Sequence, residues 1–205
     1  MGYIAVAAMA FAVPAAVAVA WRAVDDELVL ILLRDQAATA DHSPFTGLVS
    51  NLGAFMWLAC AAVTGFTAVA WREQLGRERT LFLAAACVLS TLLLLDDFFM
   101  LHEEVLRFSI GVPEKLTLAA GALLAGGHLF RFRHEYLAER PWLIASALAL
   151  LGASVMTDLA LPEQDLGKAA MLFVEDGLKW FGIVAWGAWH VTYCYDAIKR
   201  AGTRA

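Results

Sequence analysis

Charge is what this chain has least of. Only 17% of its 205 residues are Asp, Glu, Lys or Arg, against about 25% in an ordinary soluble domain. That charge falls in short clusters between long apolar runs, and 61% of the chain is hydrophobic. Such a distribution argues against a soluble globular domain and for a polytopic membrane protein. The net charge of −5 leaves no general basic field, which argues against nucleic acid as a partner and makes the lipid bilayer the expected one. Cysteine is scarce as well. Cys60, Cys87 and Cys194 form no C-x-x-C pair, and the first two lie in apolar runs, where they read as small filler. Residues 1–21 contain no Lys or Arg. The segment therefore lacks the positive start of a signal peptide, although Ala16-Val17-Ala18 would suit a cleavage site, and it reads as a spanning helix. There is no Gly-rich phosphate loop, no H-x-x-x-H, no H-E-x-x-H and no Ser–His–Asp pattern. Gly121, Gly126 and Gly127 lie inside an apolar run and read as packing residues.

A membrane span needs about 20 mostly apolar residues. Six windows qualify, at approximately 3–21, 46–71, 80–102, 115–131, 141–161 and 169–194. The expected fold is all-α: one transmembrane domain over residues 1–205, built as a six-helix bundle. Residues 25–40 read as an interfacial amphipathic helix, because the apolar stretch Leu28 to Leu33 is too short to span. Asp41-His42-Ser43-Pro44 then forms a turn. The loop at 72–79 holds Arg72, Arg77 and Arg79, that at 131–140 holds Arg131, Arg133 and Arg140, and the tail holds Lys199, Arg200 and Arg204. These segments alternate correctly for one side of a six-span chain. The positive-inside rule makes that side cytoplasmic and puts both termini there, in a plasma (inner) membrane. Trp21, Trp71 and Trp142 sit at span ends, where indole favours the interface.

An ionisable side chain inside a span costs roughly 2.5–3.5 kcal/mol on insertion scales and so is a functional candidate by default. The third span runs outward and ends Asp96-Asp97-Phe98-Phe99-Met100-Leu101-His102-Glu103-Glu104. On an unbroken helix Asp96 shares a face with Glu103 and Asp97 shares one with Glu104, while His102 projects elsewhere unless the helix unwinds. The sixth span carries Glu175, Asp176 and Lys179 near its outer end. Glu175 and Lys179 have the i, i+4 spacing of a helical ion pair, and Lys179, Trp186 and His190 continue one stripe. Asp158 ends the fifth span. By depth, Asp96, Asp97, Asp158, Glu175 and Asp176 share one outer layer. His128 and His134 border the basic inner loop and read as solvated.

Four functions suit these residues. The favoured one is ion handling: Asp96, Asp97, Asp158, Glu175 and Asp176 bind a cation or exchange protons with the outside, Lys179 is their counter-charge and His190 an inner relay. A second is a metal-dependent hydrolase, with Asp96, Asp97, His102, Glu103 and Glu175 holding a divalent cation near the outer surface. The several histidines of ceramidase-like membrane hydrolases are missing at usable positions. A third follows from a resemblance. Glu175-x-x-x-Lys179 on the last span, with Asp96 on the third, resembles microbial rhodopsins. The resemblance implies a retinal Schiff base at Lys179, but those proteins have seven helices and an outside N-terminus, which speaks against retinal here. The fourth is a non-catalytic subunit of a homo-oligomer or larger membrane complex, docked through Ala- and Gly-rich faces. These residues do not fix whether the chain is an enzyme.

Overall fold

A computed structural model describes residues 36–160 and 168–203, together with residues 12, 15, 16, 18 and 19. The expected first span lies outside the described residues except at those five positions, all helical, and the interfacial helix lies outside them before Gln36. Among the described residues every regular element is helical.

The chain divides into two compact units, Met1–Leu48 and Val49–Ala205. In the described part of the first, helix α1 (Gln36–Thr39) runs into the expected turn. The His42 N–H returns to the Ala37 carbonyl at 2.9 Å, and the Ser43 hydroxyl accepts the Phe45 N–H at 3.3 Å. Asp41 turns the chain with φ 54°, a left-handed conformation that Asp tolerates better than most residues.

The second unit carries the larger helices. They are α2 (Leu48–Ala70), α3 (Arg72–Leu75), α4 (Arg77–Phe99), α5 (Leu106–Ile110), α6 (Glu114–Arg131), α7 (Arg133–Ala138), α8 (Pro141–Ala160) and α9 (Lys168–Gly202). A single π-helical turn, Leu101–Val105, separates α4 from α5. Gly76, at φ 77°, makes the reversal between α3 and α4, where a side chain would be strained. Pro141 opens α8 at a position that needs no backbone N–H. Among the described residues, two helices, α2 and α4, are long and apolar enough to cross a membrane. α6 and α9 also have long apolar stretches, but α6 carries Glu114, Lys115 and Arg131 at its ends and α9 carries Lys179 within.

Close packing is set by glycines other than those singled out in the sequence. A Cβ on Gly182 of α9 would stand 2.7 Å from the Leu151 Cγ and 3.0 Å from its backbone nitrogen, so α8 and α9 meet backbone to backbone there. Gly65 of α2 lies against Cys87 of α4, and Gly53 of α2 against Ile183 of α9. Gly121, Gly126 and Gly127 have nothing within 4 Å of such a Cβ. Their expected packing role finds no neighbour among the described residues, and α6 meets the core instead through Ala125, His128 and Leu129.

The core gathers around Phe82, which is fully buried. Phe132, Tyr136, Trp189 and Tyr193 surround its ring at centroid distances of 5.1–6.0 Å. Trp57, Trp186 and Trp189 are core residues, whereas Trp142 is 67% exposed at the start of α8. Beside this core, ion pairs join the basic segments. Arg131 meets Glu78 at 2.9 Å, Arg79 meets Glu135 at 3.7 Å, Arg140 meets Asp196 at 2.8 Å, and Arg200 pairs with Glu139. Three segments remote in sequence, 72–79, 131–140 and the start of the tail, are thereby held at one end of the unit.

Candidate functional site

The opposite end is organised by a break in α4. Met100 adopts a left-handed conformation, φ 49° and ψ 47°, and its N–H returns to the Asp96 carbonyl. An unbranched residue tolerates this better than a β-branched one, yet it remains uncommon for any residue but glycine. The turn that follows folds His102 back over the helix end. The His102 backbone N–H donates to Asp96 Oδ1 at 3.1 Å, and its Nδ1 donates to Asp96 Oδ2 at 2.8 Å. One carboxylate thus ties down the turn and orients the imidazole. The helical pairing of Asp96 with Glu103 and of Asp97 with Glu104 is corrected here: helical phase is lost at Met100, so the seven-residue spacing no longer sets a shared face.

Asp97, one residue on, points about 100° away around α4. Its Oδ1 lies 2.7 Å from Nζ of Lys179 on α9, and its Oδ2 accepts the indole N–H of Trp57 on α2 at 2.8 Å. Three helices therefore converge on one carboxylate. The Asp97 side chain is 11% exposed and that of Lys179 is 36% exposed, so the anion is the deeper partner and the ammonium sits toward water. Beside the pair is a small open cleft, lined among others by Ser50, Gly53, Asp97, Asp176 and Lys179.

Of the residues expected in the acidic layer, Asp97, Asp176 and Lys179 share this cleft, and Asp96 and His102 form the neighbouring pair. Glu175 is half-buried one helical turn before Lys179. The side chains of Asp158 and Glu103 lie outside the described residues. His190 is not part of the cleft: it follows Lys179 by roughly 16 Å along α9, at about 1.5 Å per residue. It is completely buried in the aromatic core. Among the described residues, no group of three or more His, Cys, Asp or Glu side chains is placed to hold a metal ion.

Sequence reasoning missed two residues. Trp57 lies in mid-span rather than at a span end, and a buried indole N–H needs an acceptor, which was the available signal. Tyr136 sits in what reads as a solvated loop, yet α7 folds it inward to 3% exposure. Burial pushes its phenol well above the usual value, so it stays neutral. Its hydroxyl lies 2.9 Å from Nε2 of His128 and 3.2 Å from Nε2 of His190. His128, expected in solvent, is half-buried instead, because it stacks on Phe82 with a centroid distance of 5.9 Å.

Residues 3–193 match the model of a family described as a domain of unknown function, DUF8692. The chain belongs to this family. No curated protein and no solved structure matches it significantly. The DUF8692 match takes in both the Asp97–Lys179 cleft and the His128–Tyr136–His190 cluster, so both lie within the family's domain.

Proposed function

We propose that this DUF8692 protein is a multi-pass, six-helix protein of the plasma membrane, both termini cytoplasmic. Its Asp97–Lys179 pair, open to the outer side, binds a cation or exchanges protons. The observation that carries the reading is the 2.7 Å contact between charges from α4 and α9 at the edge of a cleft. Membrane embedding is supported by the large apolar side chains left uncovered: Phe66 is 67% exposed, Leu123 76%, Phe130 71% and Phe173 81%. A soluble monomer rarely shows so much apolar surface, and lipid would cover it. Orientation is supported by the ion pairs that gather Arg79, Arg131, Arg140 and Arg200 at one end. The positive-inside rule makes that end cytoplasmic and turns the Asp97 end outward.

The chemistry follows from the donor set. The Lys179 ammonium is a tethered cation on the Asp97 carboxylate. A free cation entering past Asp176 competes for the same oxygens, and a proton on Asp97 removes the charge that holds Lys179. The Trp57 N–H fixes the second oxygen, so either exchange happens at Oδ1 without the carboxylate turning.

In a background without the native cysteines, an impermeant thiol reagent is expected to label Asp176→Cys from outside and Arg133→Cys from inside. Labelling of both from the same face would remove the basis for an outward-facing site.

A further inference from the structure

We propose that His190 is a buried proton-binding site, loaded from the basic end of the protein through His128 and Tyr136. This site goes beyond the Asp97 cleft and does not depend on its function.

The direction of the hydrogen bonds follows from one fixed acceptor. His190 Nδ1 lies 2.9 Å from the backbone carbonyl of Trp186. A carbonyl carries no hydrogen, so Nδ1 must carry one. In the neutral imidazole Nε2 is then bare, and the Tyr136 hydroxyl must donate to it across 3.2 Å. Tyr136 has only that one hydrogen. The 2.9 Å contact with His128 therefore requires the His128 Nε2–H to donate to the phenol oxygen. Neutral His128 keeps Nδ1 bare, available to a proton from the half-buried side of α6.

A proton arriving at His128 Nδ1 starts a balanced shift. The His128 Nε2–H bond breaks as a new phenol O–H bond forms. The original phenol O–H bond breaks as a His190 Nε2–H bond forms. His128 ends neutral with its hydrogen on Nδ1, Tyr136 ends neutral with its O–H turned toward His128, and His190 ends as an imidazolium. Every hydrogen bond in the cluster is satisfied both before and after, with polarity reversed. A cluster held only for packing needs one such state, whereas this geometry supplies two.

The wire stops at His190. Its Nδ1–H is committed to a carbonyl that cannot pass a proton on, so His190 stores the proton rather than relaying it toward Asp97. Its surroundings are mostly aromatic: Trp186, Trp189 and Phe82 have ring centroids within 6.4 Å. The titratable groups near the cluster are Cys60 of α2, beside Tyr136, His128 of α6, and Tyr193 on α9 itself. Tyr193 donates to Glu135 of α7 at 2.6 Å, and that carboxylate is paired with Arg79 of α4. This carboxylate is thus already held by a phenol and a guanidinium, and among the described residues the cluster takes up its proton without a direct anionic partner.

The test is ¹⁵N-histidine NMR on the full chain in lipid nanodiscs. At neutral pH, His190 should show the Nδ1–H tautomer and His128 the Nε2–H tautomer. On acidification His190 should gain a proton at Nε2. Tyr136→Phe removes the bridge. His128→Gln keeps a donor to the phenol oxygen, and with it the local packing, but cannot be loaded. Both variants should slow proton exchange at His190 by about a hundredfold, the low end of what a positioned acid–base group contributes. An Nε2–H tautomer at His190 at neutral pH, or unchanged exchange in His128→Gln, would overturn the proposal.

Discussion

Lys179→Met is expected to destabilise the protein more than the double change Lys179→Met with Asp97→Asn. Removing one partner of a buried ion pair leaves an uncompensated charge, at a cost of about 3–5 kcal/mol when both groups are fully buried. Asp97 is 11% exposed and Lys179 36%, so the loss belongs at or below the lower end of that range. In the double variant position 97 no longer carries a charge to be stranded, and the amide oxygen introduced by Asp97→Asn still accepts the Trp57 N–H. The two single losses should therefore sum to more than the double one. Denaturant unfolding in detergent across the four proteins reads the difference directly. Strictly additive losses would mean that the charges do not sense each other.

Phe82→Ala should be the most damaging truncation in the core, by about 3–5 kcal/mol. Phe82 has no exposed surface, and six rings stand around it: His128, Phe132, Tyr136, Trp189, His190 and Tyr193. Its loss opens a cavity that rigid aromatic neighbours cannot collapse to fill. The same change at Phe66, 67% exposed, should stay within about 0.5 kcal/mol. Trp189 and Trp186 flank the site, so unfolding followed by indole fluorescence measures both variants.

The parts of this fold that depend on composition were legible in the sequence. Apolar runs marked the helices later found at Leu48–Ala70 and Arg77–Phe99, and the arginine clusters marked segments that ion pairs do hold together. Features set by contacts between remote residues were not legible. The run from Leu92 to Val105 contains neither Gly nor Pro, so nothing local announced the break at Met100. With the break came the return of His102 to Asp96, whereas an unbroken helix would point His102 elsewhere. Lys179 offered an acid on its own helix at Glu175, and the cross-helix contact with Asp97 depends on how α4 and α9 pack. Tyr136 belonged to a short, charged segment whose polarity suggested water. Its inward turn needs the aromatic pocket around Phe82, which side chains remote in sequence build together. The glycines failed as signals for a similar reason: spacing shows where close approach is allowed, and only a neighbour's backbone shows where it happens.

The most direct measurement is ion movement across a sealed bilayer. Purified protein in liposomes is expected to dissipate an imposed proton or monovalent-cation gradient. Asp97→Asn should abolish that flux, while Glu104→Gln, an exposed acid beyond the helix break, should leave it unchanged. Vesicles containing the wild-type chain that hold their gradients as well as empty ones, or an Asp97→Asn protein that conducts like the wild type, would contradict a cation or proton site at Asp97 and Lys179.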